Sequence, residues 1–387
     1  MKKLLLSLFI ISVIHITAQT SSTFSFNVNG SSVPAGLVSA LNSAGDRWGN
    51  YLIITEPVKV NIFLVNNSQY PFSAITLANG RKNFTNAPFS NFIYPTALAN
   101  QLAGTELNPG EYDMDIYVNL ATPMYYGTGM PSGSQDDFIT LIMHEIGHGL
   151  GFYSAGYVNS GNIGSFGNIP ASALFPITAS FPWHGQDSVP SIYDKFIIKK
   201  SQNHLVGLAP NNTTILGDSI KYTSNYFDGP NFANPSNGGQ PIKLSGGTGT
   251  FTLGVDLLHL HSSVCGSIMS YCWGAGDTIR RPAYRELGIL KEIGWNTTAN
   301  RIEESLTNNS DDLYPNPAQN FVEVSGSNIH SVVIYDMQGR AVIQEVNYRK
   351  SNNFKINTEN IPNGIYFIAA ETENNKKLIT KKLVILH

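Results

Sequence analysis

The nine residues His144 to Phe152, HEIGHGLGF, constrain this chain more than any other stretch. On a helix, residues four apart share a face. His144 and His148 therefore present two imidazoles to one point, which is the spacing of a zinc-binding helix. Glu145, one residue on, lies beside such an ion, where it can take a proton from a water. Gly147, Gly149 and Gly151 are poor helix formers, and they predict a helix that stops just after His148 at a sharp turn. Upstream, Phe138, Leu141, Ile142 and Ile146 recur at helical spacing as a buried stripe. Ser134 and Asp137 stand at capping-box spacing, with Asp where Glu or Gln is usual.

The length of 387 residues predicts two or three domains. Charged residues make up 13% and the formal net charge is -3, which gives no electrostatic basis for binding nucleic acid or an anionic membrane. Met1-Lys2-Lys3 is a basic start, Leu4 to Ile14 a short apolar run, and Thr17-Ala18-Gln19 offers a small residue for cleavage. Residues 1–18 read as a signal peptide, the run being too short for a good membrane span, and no second span follows. Export makes a disulfide between Cys265 and Cys272 possible. Neither cysteine precedes the histidine helix, which argues against a cysteine-switch propeptide.

Before the helix, Thr23 to Val28 reads as a first strand, Pro34 to Ile53 as a helix, and VKVNIFLV, Val58 to Val65, as a strong strand. Phe72 to Ala103 reads as loop with one short helix over Tyr94 to Ala103. Asp113 to Asn119 reads as a strand, either an edge where an extended peptide adds or an ordinary buried strand. After the helix, residues 155–258 form a large insertion rich in Asn, Gly, Pro and aromatics. Its clearest regular piece is Ser191 to Lys199, expected as a strand, with Asp194 a structural hydrogen-bonding residue or a ligand. His184 and His204 lack metal spacing and read as surface histidines. LLHLHSSVCGSIMSY from Leu257 leads to an amphipathic helix ending at Trp295, expected to pack behind the zinc helix. Asn296 to Asp312 is a polar linker, and from Leu313 short strands alternate with turns as a small all-β sandwich.

HEIGHGLG at 144–151 and SIMSY at 267–271 resemble the metzincin clan of zinc metalloproteases. The resemblance implies an α+β protease domain over 19–295, a mixed twisted sheet plus the active-site helix, with Met269 in a Met-turn beneath the metal. The Met-x-Tyr spacing is similar to the astacin and serralysin groups, which implies that Tyr271 can ligate the metal and stabilise the oxyanion. One departure stands out: metzincins carry HExxHxxGxxH, and here the last position is Ser154. Catalytic zinc normally takes three protein ligands. His259 and His261 precede the Met-turn and lie two apart, so in an extended segment both can face the site. His259 is the expected third ligand, with His261 the alternative.

YPNP at 314–317, VVIYDMQGR at 332–340, IPNGIYFI at 361–368 and KKLVI at 381–385 resemble the type A sorting domain of the type IX secretion system. That implies an Ig-like sandwich over 313–387, recognition by the secretion machinery, and removal of this domain during export. The combined expectation is a secreted Zn2+ endopeptidase acting on protein or peptide, with Glu145 as general base. The alternatives are an adhesion protein with a degenerate zinc site and a zinc hydrolase of a non-peptide substrate. No clear Asp-rich calcium loop is present in the sequence.

Overall fold

Phe24, Phe26 and Val28 alternate with Ser25, Asn27 and Asn29 along strand β2 (Phe24–Gly30), so one face is apolar. Strand β3 (Val58–Val65) buries Val58, Val60 and Ile62 in the same way, and the two strands pair in parallel, Phe24 opposite Val58. Helix α1 (Leu37–Gly49) makes the crossover and buries Leu37, Leu41, Ala44 and Trp48. Each Phe, Val, Leu or Ile among them removed from water contributes about 1.5–3 kcal/mol. This computed structural model describes residues 14–19, 23–170, 188–222, 224–229, 241–247, 249–264, 266–270, 273–298, 313–325, 329–337, 340–346, 353–372 and 377–387.

Three more strands complete the first sheet. Strand β1 (Ile14–Gln19) pairs antiparallel with β2. It spans the expected cleavage point after Ala18, so signal-peptide removal would take most of β1 and leave β2 at that edge. Strand β4 (Ala74–Ala78) lies in the stretch expected as loop. Strand β5 (Met114–Asn119) pairs parallel with β3 and antiparallel with β4, giving the order β1-β2-β3-β5-β4. The edge alternative for 113–119 is thereby corrected: Ile116 pairs with Ile62 on one side and Thr76 on the other. β4 is the edge strand instead. Helix α2 (Thr96–Ala103) follows β4.

Helix α3 (Phe138–Leu150) carries the two histidines and is buried nearly all round, the expected stripe included. The insertion holds small sheets, Gly156–Val158 with Gly164–Phe166 and Ile197–Lys199 with Asn225–Phe227 and Ile242–Lys243, and helix α4 (Thr214–Ile220). Ser191–Lys199 is a turn first and a strand only from Ile197. Asp194 accepts hydrogen bonds from Ser191 N (2.8 Å) and Ala155 N (2.9 Å), which favours the turn over an extended chain. Helix α5 (Tyr284–Ile293) is followed by Trp295, whose Nε1 donates to the Leu150 carbonyl at the end of α3 (2.7 Å).

Two compact units divide the chain, Met1–Ala299 and Asn300–His387. The linker starts later than expected: Ile53 N bonds Asn296 O, Thr298 N bonds Tyr51 O, and Thr297 bridges Leu52, which ties 296–298 to the first unit. In the second unit, strands β6 (Leu313–Tyr314), β7 (Phe321–Ser325) and β10 (Asn353–Asn357) form one antiparallel sheet. Strands β8 (Ile329–Tyr335), β9 (Ala341–Val346), β11 (Gly364–Thr372) and β12 (Lys377–Ile385) form the other, ordered β9-β8-β11-β12. Val322, Val324 and Ile356 of the first share one core with Val332, Ile334, Ile368 and Leu383 of the second.

Candidate metal centre

Helix α3 starts at Asp137, whose carboxylate accepts from Thr140 N (2.9 Å) and Thr140 Oγ1 (2.6 Å). Asp137 is thus the cap itself, a correction to the box that placed it three residues into the helix. Arg280 pairs with it, donating Nε to Oδ2 at 2.8 Å and Nη2 to Oδ1. The helix ends at Leu150, and Gly151 adopts φ 130°, open to glycine, while Phe152 N bonds back to Gly147 O at 3.1 Å. Gly147 and Gly149 sit inside the helix rather than ending it. A Cβ on Gly147 would lie 2.5 Å from Met269 Sδ, and one on Gly149 would collide with Met114 Sδ. These two glycines admit the buried side chains of Met269 and Met114.

His144, His148 and His259 come together. His144 Nε2 lies 3.1 Å from His148 Nε2 and 3.1 Å from His259 Nε2. Each Nδ1 faces a backbone carbonyl: His144 that of Ile268 (2.7 Å), His148 that of Phe152 (2.7 Å), His259 that of Val255 (3.1 Å). Each Nδ1 proton is committed to its carbonyl, so each Nε2 presents a lone pair. Two lone pairs held at 3.1 Å repel unless a cation lies between them. Ligands ~2.0–2.1 Å from a tetrahedral zinc stand about 3.3 Å apart, so the donor set fits that ion. Burial lowers the basicity of all three imidazoles, to about 4 at His144, to about 3 at His259, and well below the ordinary value at His148. They are neutral at pH 7, as ligands must be.

The segment holding His259 is fixed on both sides. Leu260 N bonds Met269 O (2.8 Å), and Ser245 N bonds His259 O (2.8 Å). His261 does not reach the cluster. His261 N still bonds Lys243 O (3.1 Å), a turn closed by Val264 N on His261 O follows, and the half-exposed His261 places Nδ1 on Ser263 Oγ (2.9 Å). Ser154 also stays away, bonding Gly156 N through Oγ (3.0 Å). Asp194, fully buried, takes the structural role described above. His204 is exposed and bonds the Lys195 carbonyl (3.0 Å). Tyr271, Cys265, Cys272 and His184 lie outside the described residues.

Glu145 is buried, which pushes its carboxyl up to about 7, and one hydrogen bond from Thr76 opposes that shift. Thr76 Oγ1 lies 2.6 Å from Glu145 Oε2 and 3.0 Å from the Glu145 carbonyl. Next to the Ile268 carbonyl that meets His144, the turn around Met269 is held by Glu286 of α5, which accepts from Met269 N (3.1 Å), Ala283 N (2.9 Å) and Ser267 Oγ. Glu286, Ser267, Ile268 and Met269 are fully buried. Trp273 Nε1 donates to the Ile268 carbonyl (3.3 Å) that also orients His144, and its ring meets that imidazole edge to face at 5.6 Å. Thr76, Trp273, Glu286 and Arg280 escape a reading of the sequence. For Thr76 the one local signal is the β-prone run AITLA. For the others it is only proximity to the Met-x-Tyr segment.

Among the described residues no helix is long and apolar enough to cross a membrane. Curated proteins include no match to this chain. Residues 312–386 match the family described as the secretion system C-terminal sorting domain. The second unit is therefore a sorting domain, and it marks the chain for type IX export to the cell surface or beyond.

Proposed function

We propose that the first unit is a zinc-dependent endopeptidase of the metzincin kind, with His144, His148 and His259 as ligands and Glu145 as general base. The observation that carries the reading is the meeting of three Nε2 atoms whose ring partners are all backbone carbonyls. A zinc ion held there would acidify a water and polarise a carbonyl oxygen. Glu145 takes a proton from the attacking water as its oxygen bonds to the scissile carbon. It then delivers that proton to the leaving nitrogen as the C–N bond breaks. Burial raises the Glu145 carboxyl above the ordinary carboxylate range, the direction a general base working near neutral pH needs.

Strand β4 is the edge of its sheet, and Thr76 ties it to Glu145, so an extended peptide can pair along that edge beside the base. This supports a peptide over a compact non-peptide substrate. The degenerate-site alternative draws on Ser154, and the His259 imidazole supplies what Ser154 lacks. Type IX export places the substrate outside the cell. The test is Glu145→Ala, assayed for zinc content and casein hydrolysis. The expected variant keeps about one zinc per chain and loses at least ~100-fold in rate. Undiminished hydrolysis would remove the enzyme reading, and a native chain holding well under one zinc would favour the degenerate site.

A further inference from the structure

We infer that Thr76, on the sheet-edge strand, is the positioning residue of the general base and selects which carboxylate oxygen of Glu145 receives the proton. The inference rests on the proposed hydrolase reading and deepens it. Thr76 sits on the face of β4 that looks toward α3, opposite Ile116 in the register. Its hydroxyl reaches Oε2 of Glu145 at 2.6 Å and the Glu145 backbone carbonyl at 3.0 Å. Among the described residues it is the one side chain that hydrogen-bonds this carboxylate. A short bond of this kind to an ionised acceptor is strong and directional.

Two consequences follow from the geometry. With Oε2 held by Thr76, Oε1 is the oxygen left to face an attacking water. The hydroxyl also has work in both halves of the proton cycle. While Glu145 is ionised, Thr76 donates to Oε2. Once Glu145 holds the proton, the Thr76 hydrogen can turn to the backbone carbonyl of Glu145, and Oγ1 remains beside Oε2. The carboxyl group then keeps its place between taking the proton and releasing it, which is the condition for delivering it to the leaving nitrogen. A second feature ties this to the substrate. Thr76 belongs to the edge strand along which an extended peptide would pair, so a displaced peptide backbone shifts the base with it.

The test compares variants that differ in the hydroxyl alone. Thr76→Val keeps the shape and removes the oxygen. Thr76→Ala and Thr76→Ser lose the same methyl and differ only in the hydroxyl. Peptide hydrolysis, zinc content and thermal unfolding are measured for each, beside the native chain and Glu145→Ala. The expected result is a fall in kcat of roughly ten- to a hundredfold in Val and Ala. KM and zinc content should stay unchanged, and Ser should recover most of the rate. A crystal structure of Thr76→Val should show the Glu145 carboxyl rotated from its place. Equal kcat in Ala and Ser, with the native chain active and Glu145→Ala inactive, overturns the role of Thr76 and leaves the hydrolase reading intact. An inactive native chain, or an active Glu145→Ala variant, overturns both.

Discussion

Replacing His259 and His261 one at a time asks the sharpest question of the candidate centre. His259 is 4% exposed, its Nε2 lies 3.1 Å from that of His144, and its Nδ1 is held by Val255. His261 is two residues on and faces Ser263 instead. Zinc bound by four protein ligands is worth about 10–16 kcal/mol, or roughly 2.5–4 kcal/mol for each ligand. At 1.4 kcal/mol per factor of ten, His259→Asn should weaken zinc by on the order of a hundred- to a thousandfold. Asn Nδ2 stands where His259 Nδ1 does, so the variant can keep the bond to the Val255 carbonyl while it removes the Nε2 that meets His144. His261→Asn should shift zinc affinity by less than about twofold, since it removes no group from the cluster. Competition for zinc against a chromophoric chelator gives both constants, and thermal unfolding of the metal-free variants separates lost ligation from lost fold. Native zinc affinity in His259→Asn, or a large loss in His261→Asn, would refute the reasoning.

Two further outcomes are expected. Glu286→Ala strips the acceptor from Met269 N and Ser267 Oγ beneath the site, all of them buried. It should lower stability by about 2–4 kcal/mol in urea unfolding and weaken zinc through the Ile268 carbonyl, and an unchanged zinc constant would contradict that coupling. The pH dependence of zinc binding has a definite sign: protons compete for an imidazole only below its folded-state pKa, which is about 4 at His144 and about 3 at His259, with His148 also well lowered. Between pH 7 and 5.5 the affinity should therefore change by less than about tenfold, whereas three imidazoles of ordinary pKa would lose several hundredfold. A loss of the larger size in the chelator assay would show that the histidines titrate freely.

The features legible along the chain are local and periodic. HExxH places two imidazoles and a carboxylate on one helix because residues 144, 145 and 148 are fixed by the pitch of α3. The strand Val58–Val65 shows in its β-branched run, and the sorting domain shows in its motifs, now matched over 312–386. Gly151 as the helix stop was also legible, since its φ of 130° suits glycine alone. Other features follow from packing between distant segments. Gly147 and Gly149 read as helix breakers, yet they stay helical because Met269 and Met114 occupy the space of their missing side chains. β4 is five residues long and carries almost no pattern of its own, and its place is set by pairing with β5, so the partner of Glu145 could not be read from it. His259 and His261 are equivalent by alternation, and they part in the fold, where the turn over 261–264 holds the His261 ring on Ser263 while the His259 ring meets those of His144 and His148. Ligand choice and the oxygen held at Glu145 depend on contacts between residues 69 to 124 positions apart, and spacing along the chain carries no record of them.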